Sequence, residues 1–209
     1  MKAGGICVTT MQLLRARELV YIVEKAEIRH ALCDVSLAEA MEKTCKRKPE
    51  LTDTLYFSAT GDGDASLDVA VTGKSAGFEN CDTAADDTAL IAFTSGTTGT
   101  PKATMHFHRD IIAMCDCFPR SFNMAEPHDI FTGTPPLAFT FGLGGLTCFP
   151  MRFGASTRFF PGPLSPEDMM AAIEKYKITS LYTAPTMYRL LADLADKYDA
   201  QVFIDECHA

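Results

Sequence analysis

A glycine- and hydroxyl-rich segment that ends in lysine is the part of the sequence best suited to chemistry. It consists of Thr94, Ser95, Gly96, Thr97, Thr98, Gly99, Thr100, Pro101 and Lys102. Glycines allow a ligand to approach the backbone closely, and hydroxyl and backbone N–H groups donate hydrogen bonds to phosphate oxygens. Lysine adds a mobile positive charge. These residue types predict a loop that binds an anion such as phosphate.

The spacing within this segment separates it from the Walker A loop. A Walker A loop has lysine directly after its second glycine, whereas Thr100 and Pro101 stand between Gly99 and Lys102. A kinase or NTPase is therefore disfavoured. From residue types alone, a threonine- and glycine-rich surface turn is an equal alternative to an anion-binding loop.

The elements around the segment indicate what positions it. Residues 88–93 form an apolar run that predicts a strand buried on both faces, directly before the loop. Elsewhere, apolar segments alternate with amphipathic ones, which is typical of an α/β fold with a mainly parallel sheet and flanking helices. Further strands are predicted at residues 6–11, 28–33, 54–57, 129–134, 156–160 and 178–182, and helices at 15–26, 37–46, 109–118, 166–176 and 186–197. The rest of residues 53–86 is predicted to be a surface connection.

Local signals predict where two of these helices begin. Ser36, with Glu39 three positions later, has the pattern of a capping box. Ser165 followed by Pro166 has the pattern of an N-cap and a first helical turn. The first helix is expected to bury one apolar face, formed by Leu19, Ile22 and Val23.

Length, charge and composition exclude several classes of protein. The chain has 209 residues, of which 47% are hydrophobic and 22% charged, as in an ordinary globular protein. Its net charge of −8 argues against nucleic acid as a main partner. The most apolar region, residues 135–153, is interrupted by glycines, by Pro150 and by Arg152, so no membrane span is expected.

The eight cysteines predict neither disulfides nor a metal site. They form no C-x-x-C pair, and Cys115 and Cys117 are too close in sequence for ordinary zinc ligation. The first residues of the sequence do not have the apolar core of a signal peptide. We therefore expect a cytoplasmic protein whose thiols are reduced and pack as small hydrophobic side chains.

The order Thr-Ser-Gly-Thr-Thr-Gly-x-Pro-Lys at residues 94–102 closely resembles the phosphate-loop signature of the adenylate-forming, or AMP-binding, superfamily. This superfamily contains acyl- and aryl-CoA synthetases, adenylation domains of peptide synthetases, and luciferases. Residues 136–145 resemble a further family motif, an aromatic-rich turn that enters the helix lining the acyl pocket. Residues 183–188 resemble a strand-to-helix junction of the same domain.

The aromatic-rich turn most resembles that of the benzoate and 2-aminobenzoate branch of CoA ligases. The resemblance implies that Phe139, Phe141 and Gly142 contact the acid. Flat aromatic walls and an absent glycine side chain suit a planar aryl carboxylate. The alternative is that Phe139 and Phe141 are simply core residues.

The resemblance also implies a two-step reaction that uses ATP, Mg²⁺ and CoA. A carboxylic acid attacks the α-phosphate of ATP to give an acyl-adenylate and pyrophosphate, and the CoA thiolate then displaces AMP. Charge on the β- and γ-phosphates must be neutralised as pyrophosphate leaves. By resemblance, this role belongs to Thr94, Ser95, Gly96, Thr97, Thr98, Gly99 and Lys102. No catalytic residue and no protein metal ligand is assigned.

The resemblance covers residues 1–198 and corresponds to part of the family's large N-terminal domain. Residues 1–85 would supply leading β-α units and a loop, and residues 86–198 the phosphate loop and acyl pocket. Residues 199–209 do not resemble the family's continuation, and its Tyr-Gly-x-Thr-Glu and Thr-Gly-Asp segments are not found. We therefore expect an incomplete AMP-binding domain. It would be a fragment of an acyl-CoA ligase, a non-catalytic phosphate-binding module, or an adenylation domain that loads a carrier-protein thiol.

Overall fold

The chain forms two compact units in the computed structural model, Met1–His108 and Arg109–Ala209. The structure describes residues 1–58, 66–94 and 101–198. The strands are β1 (Cys7–Val8), β2 (His30–Asp34), β3 (Asp53–Phe57), β4 (Thr88–Thr94), β5 (Lys102–Phe107), β6 (Ile130–Gly133), β7 (Ser156–Thr157) and β8 (Ser180–Tyr182). The α-helices are α1 (Ala16–Lys25), α2 (Ala38–Arg47), α3 (Ser66–Val71), α4 (His108–Phe118), α5 (Thr140–Leu143), α6 (Phe149–Phe153), α7 (Pro166–Tyr176) and α8 (Pro185–Ala192).

Parallel pairing dominates the sheets. In the first unit β1 pairs with β4 and β2 pairs with β3, and in the second unit β6 pairs with both β7 and β8, all in parallel. The pair of β4 with β5 is antiparallel. The predicted α/β class, with a mainly parallel sheet and flanking helices, is therefore confirmed.

Helix α1 packs as its sequence pattern predicts. Leu19, Ile22 and Val23 are its buried residues, because positions three and four apart share one face of a helix. In the same unit, Leu90 and Ala92 of β4 are buried. These side chains are among the buried apolar residues of the first unit, and β4 leads directly into the glycine- and hydroxyl-rich segment.

The start of α2 differs from the prediction. The carboxylate of Asp34 accepts hydrogen bonds from the Ser36 N–H at 2.9 Å and from the Ser36 hydroxyl at 2.6 Å. A 3₁₀ turn over Val35–Leu37 precedes the helix, and Glu39 forms an ion pair with Lys43. The prediction of Ser36 as N-cap is wrong, because Asp34 at the end of β2 already occupies a capping position.

Helix α3 and strand β5 are among the elements that the sequence does not predict. Helix α3 lies inside the region predicted to be a surface connection, and β5 follows the glycine- and hydroxyl-rich segment. Strand β5 pairs with β4 through Ala103 opposite Phe93 and Met105 opposite Ile91. Met105 is 63% exposed, so β5 is defined by pairing with its neighbour more than by its own apolar pattern.

The second unit is built on a parallel sheet with the strand order β7-β6-β8. Phe131 of β6 is fully buried in a cluster with Cys115, Leu146, Phe149 and Tyr182. Another cluster joins Met169 and Met170 of α7 to Leu191 of α8. As predicted, Ser165 caps α7, since its hydroxyl oxygen accepts a hydrogen bond from the Asp168 N–H at 3.1 Å.

Candidate functional site

The ends of the predicted phosphate-binding loop meet in a β-hairpin. Thr94 is the last residue of β4 and Lys102 is the first residue of β5, and the two are directly paired in the antiparallel register. The predicted members Ser95, Gly96, Thr97, Thr98 and Gly99 lie outside the described residues. Of the seven residues predicted to bind phosphate, the structure therefore describes Thr94 and Lys102, and it places them side by side at the end of β4 and the start of β5.

A cross-strand hydrogen bond and two contacts from Tyr21 of α1 hold this hairpin. The Thr104 hydroxyl donates a hydrogen bond to the Ala92 carbonyl across the two strands at 3.0 Å. The Tyr21 hydroxyl on α1 donates to the Pro101 carbonyl at 2.9 Å. The Tyr21 ring also meets Phe93 edge to face, with ring centroids 6.4 Å apart. The strands on both sides of the loop are thus held by contacts within the first unit.

Lys102 has no ion-pair partner among the residues that the structure describes. Its side chain and that of Thr94 are exposed. An unpaired ammonium on a flexible stem suits a phosphate oxygen as a point charge. The local chemistry can therefore bind an anion although the chain as a whole is acidic.

The second unit places polar and aromatic residues at one edge of its sheet. Thr134 follows β6 and Thr183 follows β8, and their hydroxyl oxygens are 2.5 Å apart. The Thr134 N–H donates to the carbonyl of Tyr182 at 3.0 Å. Ligands of open α/β sheets bind outside the carboxyl ends of parallel strands. This edge is therefore the expected location of a ligand in the second unit.

Phe139 and Phe141 lie in the segment that leaves this edge. Phe139 has an extended backbone and directly precedes α5, which contains Phe141. Phe139 is 47% exposed and Phe141 is 52% exposed. The Phe141 ring lies 5.9 Å from the Tyr182 ring, between centroids. The two phenylalanines are therefore not buried among the described residues.

Gly142 has a structural reason to be glycine. It is buried, and a Cβ atom at this position would lie 2.2 Å from the carbonyl oxygen of Pro136 and 2.7 Å from that of Pro135. The space of the missing side chain is thus filled by the chain itself. The contact of Gly142 with an acid stays a prediction, and it would have to be made by its backbone.

Tyr182 packs beside the predicted acid-contacting residue Phe141, a contact that the sequence does not predict. Its ring packs on Phe131 at 6.0 Å and on Phe149 at 6.2 Å, between centroids. Its hydroxyl accepts a hydrogen bond from the Asn123 amide at 3.3 Å. The sequence feature that could have pointed to Tyr182 is its position as the last residue of the strand predicted at residues 178–182. Tyr182 supports Phe141 from the interior of the unit.

The thiols and other metal-binding groups do not form a metal centre in the described part of the chain. No group of three or more His, Cys, Asp or Glu side chains there is arranged to hold an ion. Cys33 and Cys115 are buried, as expected of small hydrophobic side chains, while Cys7, Cys81 and Cys117 are exposed. Burial raises the pKa of the Cys115 thiol to about 11, so this thiol stays neutral near pH 7.

Comparison with known proteins identifies the family. The sequence profile described as "AMP-binding enzyme" matches residues 1–204. The chain belongs to the AMP-binding enzyme family. The resemblance inferred from residues 94–102 is therefore confirmed at the level of the family, and the hairpin of Thr94 and Lys102 is a feature of an AMP-binding fold.

Relatives of this AMP-binding chain include ligases of aromatic acids. It is 28% identical over 196 residues to a 3-hydroxybenzoate–CoA/4-hydroxybenzoate–CoA ligase of Thauera aromatica, an alignment that covers 91% of the chain and 37% of the relative. It is 26% identical over 188 residues to a benzoate–CoA ligase of the same organism, covering 90% and 35%. The chain thus spans a little over a third of the length of the curated relatives it matches.

Solved structures agree with the family assignment. An anthranilate CoA ligase in complex with anthranoyl-AMP superposes with a TM-score of 0.84 at 27% identity, covering 95% of this chain and 39% of that one. ATP-bound MatB from Rhodopseudomonas palustris gives a TM-score of 0.78 at 28% identity, covering 91% and 36%. The fold of the AMP-binding chain is therefore that of part of an adenylate-forming enzyme. In the part of the chain that is described, the helices are all too short or too polar to cross a bilayer.

Proposed function

We propose that this chain is the phosphate-loop and acyl-pocket part of an ATP-dependent ligase that joins a carboxylic acid to the thiol of CoA. Residues 94–102 bind the β- and γ-phosphates of ATP, and residues 139–142 contact the acid. The observation that carries the proposal is the pairing of Thr94 with Lys102. It sets the ammonium group of Lys102, which has no ion-pair partner among the described residues, directly after a segment whose sequence is rich in hydroxyl and glycine residues.

The role proposed for the loop is electrostatic stabilisation of the leaving pyrophosphate group. When the acid attacks the α-phosphate, the bond to the pyrophosphate group breaks and negative charge grows on the leaving oxygens. Lys102 supplies a positive charge to those oxygens, and the hydroxyl of Thr94 donates a hydrogen bond. Such interactions lower the barrier when they are stronger in the transition state than in the bound ground state.

We expect Mg²⁺ to bind together with the nucleotide, as the resemblance to the family implies. The described residues hold no cluster of three metal-binding side chains, and Mg²⁺ is commonly bound through substrate phosphates and one or two carboxylates. When bound, the ion would neutralise phosphate charge together with Lys102. Residues of this chain orient the phosphates, and the proposal assigns none of the described residues as a magnesium ligand.

An aromatic acid is the substrate class that the second unit supports best. The exposed rings of Phe139 and Phe141 offer flat apolar surfaces, which pack well against a planar ring. Relatives named as ligases of hydroxybenzoate and benzoate and the anthranilate ligase structure support the same class. CoA is the proposed acceptor, because these relatives are CoA ligases.

The test of the phosphate-loop assignment is a titration of the chain with Mg-ATP by isothermal calorimetry. We expect Lys102→Ala to weaken binding roughly ten- to hundredfold, since a hydrogen bond to a charged group contributes about 1.5–3 kcal/mol. Lys74→Ala is the matched control, because Lys74 is also an exposed lysine of the first unit. Equal Kd values for the two variants would contradict the assignment.

A further inference from the structure

Tyr21 of α1 stands outside the buried apolar stripe of its helix. Leu19, Ile22 and Val23 are the buried residues of α1. Tyr21 points about 160° away from Leu19, since an α-helix has about 3.6 residues per turn. It is nevertheless half-buried, whereas Lys25, four residues later, is exposed. The amphipathic pattern of α1 therefore does not explain the burial of this tyrosine, and its contacts outside the helix do.

The side chain of Tyr21 contacts both arms of the β4–β5 hairpin. Its hydroxyl donates a hydrogen bond to the carbonyl oxygen of Pro101 at 2.9 Å. Its ring meets the ring of Phe93 edge to face, with an interplanar angle of 78°. Phe93 is the penultimate residue of β4, and Pro101 directly precedes β5. One side chain, 80 residues from Pro101 along the chain, therefore contacts the backbone on one side of residues 95–100 and a ring on the other.

The hydrogen bond acts on the peptide unit that leads into Lys102. The carbonyl of Pro101 and the N–H of Lys102 belong to one peptide unit, which is planar because of resonance in its C–N bond. A hydrogen bond that orients this carbonyl therefore also orients the N–H and the Cα atom of Lys102. The Lys102 side chain starts at that Cα atom and is exposed. Tyr21 thus restrains the backbone from which the lysine side chain extends.

The position of Pro101 explains why a side chain holds this carbonyl. Proline has no N–H, so Pro101 cannot donate a hydrogen bond to β4. The pairing of β4 with β5 ends at Thr94 and Lys102, so Pro101 lies just outside the ladder. Within a ladder, paired N–H and C=O groups fix the backbone of each strand. At Pro101 the Tyr21 hydroxyl supplies this restraint from α1, outside the sheet.

We propose that Tyr21 is a positioning residue for the binding of ATP phosphates. It acts through Lys102, whose ammonium group it directs by orienting the Pro101 peptide unit. The inference rests on the proposed function, because it requires that Lys102 binds phosphate. Without the hydroxyl, the backbone at Lys102 samples more conformations, and the affinity falls with the fraction of molecules that hold the lysine in place. In this role Tyr21 raises the affinity for ATP and does not contact the nucleotide itself.

The test removes the hydroxyl and keeps the ring. In a calorimetric titration of the chain with Mg-ATP, we expect Tyr21→Phe to raise the Kd roughly two- to tenfold, the effect of one neutral hydrogen bond. Tyr198→Phe is the matched control, because Tyr198 is also half-buried and its hydroxyl donates to a backbone carbonyl, that of Glu167, at 3.4 Å. This control should bind Mg-ATP as the unmodified chain does. Equal Kd values for the two variants would overturn the proposal.

A double variant shows whether Tyr21 acts through Lys102. Once Lys102→Ala has removed the lysine, adding Tyr21→Phe should change the Kd by less than about twofold. Losses that multiply in the double variant would overturn this route. Weaker binding in Lys102→Ala with normal binding in Tyr21→Phe would overturn the role of Tyr21 alone. Unchanged binding in Lys102→Ala would contradict the proposed function, and the role of Tyr21 with it.

The amide signal of Lys102 gives a readout that needs no nucleotide. This N–H shares a peptide unit with the Pro101 carbonyl, so its nitrogen chemical shift and its order parameter report on the Tyr21 hydrogen bond. We expect Tyr21→Phe to move the signal and lower the order parameter, and Tyr198→Phe to change neither. An unchanged Lys102 signal in Tyr21→Phe would overturn the positioning role.

Discussion

The carbonyl oxygen of Pro136 occupies the place where a side chain on Gly142 would begin, 2.2 Å from the ideal Cβ position. The sequence predicts that this glycine makes room for an acid. In the structure that room is filled by the backbone of the preceding turn. The close approach of two backbone segments therefore requires glycine at this position, and no single-sequence pattern reveals that approach.

Substitution of Gly142 tests this explanation. We expect Gly142→Ala to lower the free energy of unfolding by about 3 kcal/mol, because the clash is with backbone and cannot be relieved by a side-chain rotation. Gly144→Ala is the matched control, since its Cβ would meet only side-chain atoms at 3.4 Å or more. It should change stability by less than about 1 kcal/mol. Urea unfolding measures both, and equal effects would contradict the explanation.

Substitution of Phe141 tests the proposed contact between its ring and the acid. We expect Phe141→Ala to weaken the binding of benzoate by roughly two- to tenfold, because a ring contact contributes about 0.5–1.5 kcal/mol. Phe159→Ala is the control, since both phenylalanines are 52% exposed and Phe159 lies outside the aromatic-rich turn. Equilibrium dialysis with radiolabelled benzoate measures the effect. An unchanged affinity in Phe141→Ala would remove this ring from the proposed acyl site.

At the scale of elements, an ion pair between Asp116 and Arg152 connects α4 to α6. The Nε of Arg152 donates to Asp116 Oδ1 at 2.9 Å, and its Nη2 donates to Asp116 Oδ2 at 3.1 Å. These hydrogen bonds to Arg152 hold the pKa of the Asp116 carboxyl below its ordinary value. The two parallel hydrogen bonds of such a bidentate pair add geometric specificity as well as energy to the contact between the two helices.

The sign of the pKa shift gives a pH prediction. Because the folded-state pKa of Asp116 is lowered, its stabilising effect is complete above the unfolded value of about 3.9 and is lost as the pH falls through the folded-state pKa. Asp116→Asn should therefore lower the Tm at pH 7, and the difference should shrink below about pH 4. Asp193→Asn, at an exposed position, is the control. A difference in Tm that is independent of pH would contradict the role of this carboxylate.

Helices and strands differ in how far their sequence predicts them. Helices α1 and α7 were predicted nearly to their ends, because apolar periodicity and the Ser165 cap are local signals. Strand β5 was not predicted, because its pairing with β4 is a property of two segments and not of one. The cap at Asp34 was missed for a similar reason, since it follows from where β2 ends.

At the scale of the whole molecule, the sequence was sufficient for the family and the class of fold. The match over residues 1–204 confirms what the segment 94–102 indicated. The packing around Tyr182 was not predictable, because it depends on which strands become neighbours. Measurement of ATP–pyrophosphate exchange would distinguish two alternatives for this chain. A ligase fragment with catalytic turnover would show exchange, and a phosphate-binding module without turnover would not.

The central claim is that residues 94–102 bind the terminal phosphates of ATP, and competition binding tests it most directly. Mg-ATP bound to the chain is displaced either with pyrophosphate or with AMP, and the release is followed by calorimetry. We expect pyrophosphate to displace Mg-ATP and Lys102→Ala to weaken pyrophosphate and Mg-ATP alike, because the loop contacts the β- and γ-phosphates. Displacement by AMP but not by pyrophosphate would contradict the claim.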